Sequence, residues 1–161
     1  MHNVHTSELP SLKLPTGTHI LLSGTVYTAR DAAHKRIADS IKTGEPLPFD
    51  LKGAVIYYAG PTATKPGAVI GSCGPTTATR MDKFAPMLYD MGVAATIGKG
   101  IRSPEVTEAA KRNNAFYFQA VGGAGALAAK YITSMEVIAY PDLGCESVKK
   151  LTFENFPLIV S

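Results

Sequence analysis

Apolar residues recur along this chain at two spacings, and their alternation predicts interleaved strands and helices. The run His19-Ile20-Leu21-Leu22-Ser23-Gly24-Thr25-Val26-Tyr27-Thr28 reads as a strand, a Ser-Gly break and a short strand. Thr28 then caps a helix with Ala29-Arg30-Asp31-Ala32 as its first turn. Ala33, Ile37 and Ile41 share one face of it, Lys35, Arg36, Asp39 and Lys42 fall elsewhere, and Gly44 closes it. Two prolines in Glu45-Pro46-Leu47-Pro48-Phe49-Asp50 exclude that stretch from a central strand. Ala54-Val55-Ile56-Tyr57-Tyr58 is β-branched and aromatic, hence a strand, and it leads into a turn at Gly60-Pro61-Thr62. Lys65-Pro66-Gly67 turns the chain again into a strand over Ala68-Val69-Ile70-Gly71, a candidate neighbour of the previous one, which delivers a second Gly-Pro-Thr turn at Gly74-Pro75-Thr76.

Beyond that turn Met81, Phe84, Leu88 and Met91 recur at helical spacing as a core face, ended by Gly92. Ala94-Ala95-Thr96-Ile97 is a short buried strand running into Gly98-Lys99-Gly100. Ser103-Pro104-Glu105 opens a helix with a cap, a proline at the first position and an acidic first turn, reaching about Asn113. Phe116 to Val121 is a strand, and Gly122-Gly123-Ala124-Gly125-Ala126-Leu127 leads a small-residue helix through Ile132. Met135–Tyr140 and Val148–Phe153 are late strands, with Pro157–Val160 as an edge piece. The fold class is therefore mixed α/β. With 161 residues, 45% of them hydrophobic, the chain reads as one domain over 1–161, residues 1–15 forming a loosely ordered start.

Composition narrows the function. Charged residues are 18% and the net charge is +3 with no Lys/Arg run, so no nucleic-acid partner is expected. The N-terminus lacks the basic start and apolar core of a signal peptide, and no apolar run reaches membrane-spanning length, which predicts a soluble cytoplasmic protein and no membrane partner. Cys73 and Cys145 lie far apart without C-x-x-C spacing, and His2 and His5 sit in the loose terminus, so this chain is expected to hold no metal of its own.

Candidate chemistry gathers where strands end. A helix start after Gly74-Pro75 would surround a carboxylate or phosphate with Thr76, Thr77 and Thr79, and Arg80 would add a bidentate cationic fork. The plainer alternative is a turn followed by a threonine cap. Arg30 and Asp31 project from the mouth of the earlier helix with His34 one turn on; equally, Asp31 complements the helix dipole and its basic neighbours form a solvated face. Lys99 sits on a glycine-flanked loop, as a site lysine or as a mobile surface one. The glycines at 122–125 have the wrong spacing for a dinucleotide fingerprint and read as close packing or a second anion-receptive helix start. Arg30, Arg80 and Lys99 each follow an apolar strand, and α/β strand ends gather on one edge, so the three converge with the threonines on a small anion, a dicarboxylate suiting them best. No catalytic triad, carboxylate pair or metal cluster accompanies them, so the site looks like half of one.

Three ordered motifs carry a resemblance. Ser23-Gly24-Thr25-Val26-Tyr27-Thr28-Ala29-Arg30-Asp31-Ala32-Ala33-His34-Lys35-Arg36, Gly74-Pro75-Thr76-Thr77-Ala78-Thr79-Arg80-Met81-Asp82 and Gly98-Lys99-Gly100 resemble the β subunit of class I fumarase and of L(+)-tartrate dehydratase, over roughly Thr18 to Tyr140. Cys73 departs from the small non-thiol residue expected there. The resemblance implies a swivelling β/β/α domain and an α-subunit partner that binds a [4Fe-4S] cluster through three cysteines, its open iron acting as a Lewis acid on the substrate hydroxyl and carboxylate. It implies that Arg30, Thr76, Thr77, Arg80 and Lys99 bind a small dicarboxylate. Thr76, Arg80 and Lys99 are implied as catalytic, with Thr76 the proton acceptor, and Asp31, His34 and Asp82 as supporting residues. It also implies a hetero-oligomer, with self-association of the isolated chain as the alternative. Reversible hydration of fumarate to L-malate is the implied reaction, dehydration of tartrate to oxaloacetate its rival within the family, and a non-catalytic small-anion module the rival outside it.

Overall fold

The computed structural model describes residues 2–161 except 62, 63, 65, 72 and 121–127. Among the described residues the strands are β1 (His2–His5), β2 (His19–Thr28), β3 (Val55–Tyr57), β4 (Ala95–Gly98), β5 (Phe116–Ala120), β6 (Ile132–Ala139) and β7 (Val148–Val160). The helices are α1 (Asp31–Thr43), α2 (Ala85–Asp90) and α3 (Pro104–Arg112). Strands β1 through β5 pair in parallel in chain order, and β7 runs antiparallel to β2, β5 and β6. Because β7 pairs with both β2 and β5, the circuit β2–β3–β4–β5–β7 closes on itself, and its strands shield their edges from one another. The fold is mixed α/β.

Strand alternation sorts side chains into two cores. Val55, Tyr57 and Ile97 face one apolar cluster with Leu22, Phe118, Phe153 and Phe156. Ile56 and Tyr58 face another, beneath Ile37 of α1, Leu88 and Tyr89 of α2, and Val106 and Ala109 of α3. Ser103 caps α3, its hydroxyl accepting from Val106 N at 3.4 Å, as the Ser-Pro-Glu string predicts. Gly44 closes α1 in the left-handed conformation at φ 74°.

Several expectations are corrected. Ser23-Gly24 does not break the strand: β2 is continuous, and the pair forms a bulge against β7 where the register shifts between Leu22 and Gly24. Gly24 has φ 121°, and a Cβ there would run into Thr6 Oγ1. Thr28 does not cap α1, because its buried hydroxyl accepts from Lys149 N at 3.1 Å; Arg30 occupies the cap position without a side-chain bond. Residues 68–71 are not a strand: Val69 is exposed and only Ile70 packs into the core. The first residues are not loose, since β1 pairs with β2 and Leu9 of the following 3-10 turn (Thr6–Ser11) is buried. The late strand is not an edge: one 13-residue β7, with Pro157 inside it opposite Leu21, spans the closure. Met91 is exposed, and the chain enters β6 at Ile132 instead of continuing a helix to that residue. The turn at 60–62 in part, the turn at 65–67 in part and the glycine-rich stretch 122–127 lie outside the described residues.

Candidate active site

The C-terminal ends of three adjacent parallel strands build one edge. After β2 comes Arg30, after β3 the segment Tyr58–Gly60, and after β4 Lys99. The segment carrying Thr76 docks between the last two: Thr76 N donates to Tyr58 O at 2.7 Å, Lys99 N to Thr76 O at 3.3 Å and Ala78 N to Lys99 O at 2.9 Å, with Thr77 bridging Lys99 in parallel register. Gly98 permits this approach, because a Cβ there would stand 2.9 Å from the Tyr58 ring and 3.1 Å from Ala78 Cβ. Backbone pairing, rather than side-chain contact, thus fixes Thr76 and Lys99 to each other.

The expected helix start at Thr76–Thr79 is corrected to a single 3-10 turn, Ala78–Met81, in which Thr77 holds the cap position without a side-chain bond. Four residues sum too few peptide dipoles to attract an anion, so any anion affinity here rests on the cations. Arg80 projects from this turn and meets Asp31 at the mouth of α1, Nε at 3.1 Å and one terminal nitrogen at 2.8 Å. Asp31 therefore takes one edge of the guanidinium and leaves another for a second carboxylate. Those hydrogen bonds hold the Asp31 carboxyl below the usual carboxylate range, with partial burial opposing them.

Arg30 is half-buried and packs over Gly60, where an added Cβ would lie 3.0 Å from Arg30 Cδ and 3.0 Å from the Cys145 carbonyl oxygen. Its Nε is buried with no hydrogen-bond partner among the described residues. The Lys99 ammonium is exposed and makes no hydrogen bond to a described residue. Arg30, Thr76, Thr77, Arg80 and Lys99 thus share one edge, with Asp31 beside them.

His34 and Asp82 stand behind that edge. His34 is fully buried between Tyr58, edge-on with centroids 5.4 Å apart, and Phe84. The Arg30 carbonyl accepts from His34 N at 2.9 Å and from Nδ1 at 2.8 Å, so Nδ1 carries the ring proton and Nε2 is a bare acceptor. Burial pushes the imidazole down to about 4, with Arg102 adding to the effect and the Arg30 hydrogen bond and Asp31 resisting it. Unfolded His34 takes up a proton near its ordinary 6.5 and the folded form only near 4, so the unfolded state binds more protons between those values. Acidification across that window is expected to cost on the order of 3 kcal/mol of stability. His34→Asn, which keeps the donor to the Arg30 carbonyl, is expected to flatten that dependence in denaturant melts at pH 7 and 4.5; an equal loss in both proteins would contradict the assignment.

Asp82 belongs to a buried network that sequence reasoning missed. Its carboxylate accepts from Arg102 Nε at 2.7 Å and from Ser103 N at 2.8 Å, while the other Arg102 nitrogens donate to Thr96 Oγ1 and Tyr58 OH, each at 3.0 Å. The Arg102 side chain is only 3% exposed, between the faces of Tyr58 and Tyr117. Two further residues carried no signal in sequence. Glu146 Oε1 accepts from Ala32 N at 3.2 Å, capping α1 from 114 positions away. Lys149 is buried nearby. Cys73 is core, its thiol pushed up to about 12 by burial and its carbonyl accepting from Tyr57 OH at 2.6 Å.

A family model described as the fumarase C-terminus matches residues 3–161. The chain belongs to this family. Fumarate hydratase 2 of Leishmania major is 43% identical over 148 residues, which are 91% of this chain and 26% of that protein. Aerobic class I fumarate hydratase of Escherichia coli strain K12 is 41% identical over 148 residues, again 91% of this chain and 27% of the relative. The chain therefore spans about a quarter of the length of these fumarate hydratases. The putative L(+)-tartrate dehydratase subunit beta of Methanocaldococcus jannaschii is 37% identical over 155 residues, 92% of this chain and 80% of that subunit. The relatives of this fumarase C-terminus chain are thus hydro-lyases, one kind much longer than it and the other of similar size.

Proposed function

We propose that this chain is the β-side half of a class I-type fumarate hydratase, reversibly hydrating fumarate to L-malate together with an α-type partner that carries a [4Fe-4S] cluster. The observation that carries the reading is the shared strand-end edge of Arg30, Thr76, Arg80 and Lys99, with the Arg30 Nε unpartnered among the described residues and one edge of the Arg80 fork unused by Asp31. Two carboxylates of one small substrate complement the three cations Arg30, Arg80 and Lys99, of which Arg80 is already paired with Asp31. The chain's own donors do not fit a cluster: Cys73 is buried, Cys145 is exposed, and among the described residues no three His, Cys, Asp or Glu side chains gather as a metal site.

In malate dehydration Arg30, Arg80 and Lys99 would hold carboxylate oxygens and favour the doubly negative aci-carboxylate that forms as the C3 proton departs. Thr76 would receive that proton. A threonine is a weak base, so its role depends on the adjacent cations and on a carboxylate from the partner. Tartrate is the second reading, favoured by the high coverage of the M. jannaschii β subunit; it differs by one more substrate hydroxyl. The chain purified without a partner is expected to be colourless and to show no hydratase activity. Turnover by the isolated, metal-free chain would overturn the divided site.

A further inference from the structure

Lys149 is 6% exposed at the start of β7, and no carboxylate among the described residues pairs with it. Its Nζ instead donates to Ser147 Oγ at 2.8 Å and lies 3.1 Å from the Ser147 carbonyl, 3.1 Å from that of Cys145 and 3.4 Å from that of Gly144. A buried ammonium without a counterion is costly, and four oxygens converging on three N–H bonds offset that cost only if the loop stays folded around it. The loop is irregular: the 3-10 segment Pro141–Glu146 follows Tyr140 in the left-handed region and is interrupted at Gly144, φ 61°. The same loop delivers two groups to the anion edge. Glu146 caps α1 at Ala32, one residue beyond Asp31, and adds its charge to the surroundings of Arg80. The Cys145 carbonyl shares with the Arg30 side chain the gap that Gly60 leaves.

We propose that Lys149 is a positioning residue of the anion site, pinning the Gly144–Ser147 loop so that Glu146 is set at the mouth of α1 and the Cys145 carbonyl beside Arg30. This rests on the site reading above, and it has a readout that does not. In Lys149→Met, amide exchange at Ala32 in the folded chain is expected to quicken about tenfold, because its acceptor loosens. In the complex with the cluster-bearing partner, kcat/KM for fumarate is expected to fall about tenfold, mainly through KM, since Arg30 and Arg80 would be misplaced in the bound state as well as in the transition state. Glu146→Ala is expected to do the same, and the double variant to add little, because both act through one loop. Should Lys149→Met fail to fold, Ser147→Ala, which removes the shortest contact and keeps the charge, is expected to shift exchange and KM in the same direction. Unchanged Ala32 exchange in a folded variant, or independent, multiplying effects of Lys149→Met and Glu146→Ala, would overturn the proposal. If the wild-type complex itself lacks turnover, the functional reading fails and the exchange rate alone decides the role of Lys149.

Discussion

Arg102→Met is expected to destabilise the chain by about 3–5 kcal/mol, the scale of breaking a buried ion pair by removing one partner. The volume is roughly kept, so the loss comes from what remains. Asp82, its carboxylate 11% exposed, would face Ser103 N without a cation, and Thr96 Oγ1 and Tyr58 OH would each lose a partner. Tyr58 and Tyr117 would also lose the guanidinium between them. Asp82→Asn should cost less, because the amide oxygen still accepts from Ser103 N. Urea unfolding of the two variants checks this, and a loss below about 1 kcal/mol for Arg102→Met would show that the network is not what anchors the Gly98–Ser103 loop.

Thr76→Val in the enzyme reconstituted with its cluster-bearing partner is expected to leave KM nearly unchanged while kcat falls on the order of 10²-fold or more, the usual scale for losing a proton acceptor. The backbone pairings of Thr76 with Tyr58 and Lys99 survive this change, so the site keeps its shape. Thr76 caps no helix in the structure, and stability should therefore change little. Arg80 differs in kind: its fork would contact substrate before and during the reaction, so Arg80→Lys should raise KM and lower kcat together. Near-wild-type turnover by Thr76→Val would remove Thr76 from the chemistry.

Local patterns were legible where local forces decide. The Ser103 cap, the Gly44 stop and the alternation of Val55 to Tyr58 follow from capping, left-handed glycine and strand period, and the structure agrees with each. That strand ends would gather Arg30 and Lys99 on one edge was legible from α/β order. Thr76 and Arg80 reach that edge by backbone docking onto Tyr58 and Lys99 and not by following a strand of their own. Non-local geometry was not. Gly24 reads as a break by itself and becomes a bulge only because β7 lies alongside. Residues 68–71 have strand composition, but among the described residues no partner strand holds them. Arg102 and Glu146 draw their roles from contacts with residues distant in sequence, and Lys149 from an irregular loop folded around it, and no periodicity announces such roles.

The central claim, that this edge is one wall of a divided hydro-lyase site, is tested most directly by co-purifying the chain with its cluster-bearing partner without oxygen and assaying fumarate, L-malate and tartrate. The account predicts interconversion of fumarate and L-malate by the complex, abolished in the Arg30→Ala variant and absent from either component alone. A complex with an intact cluster that turns over none of the three substrates would contradict it.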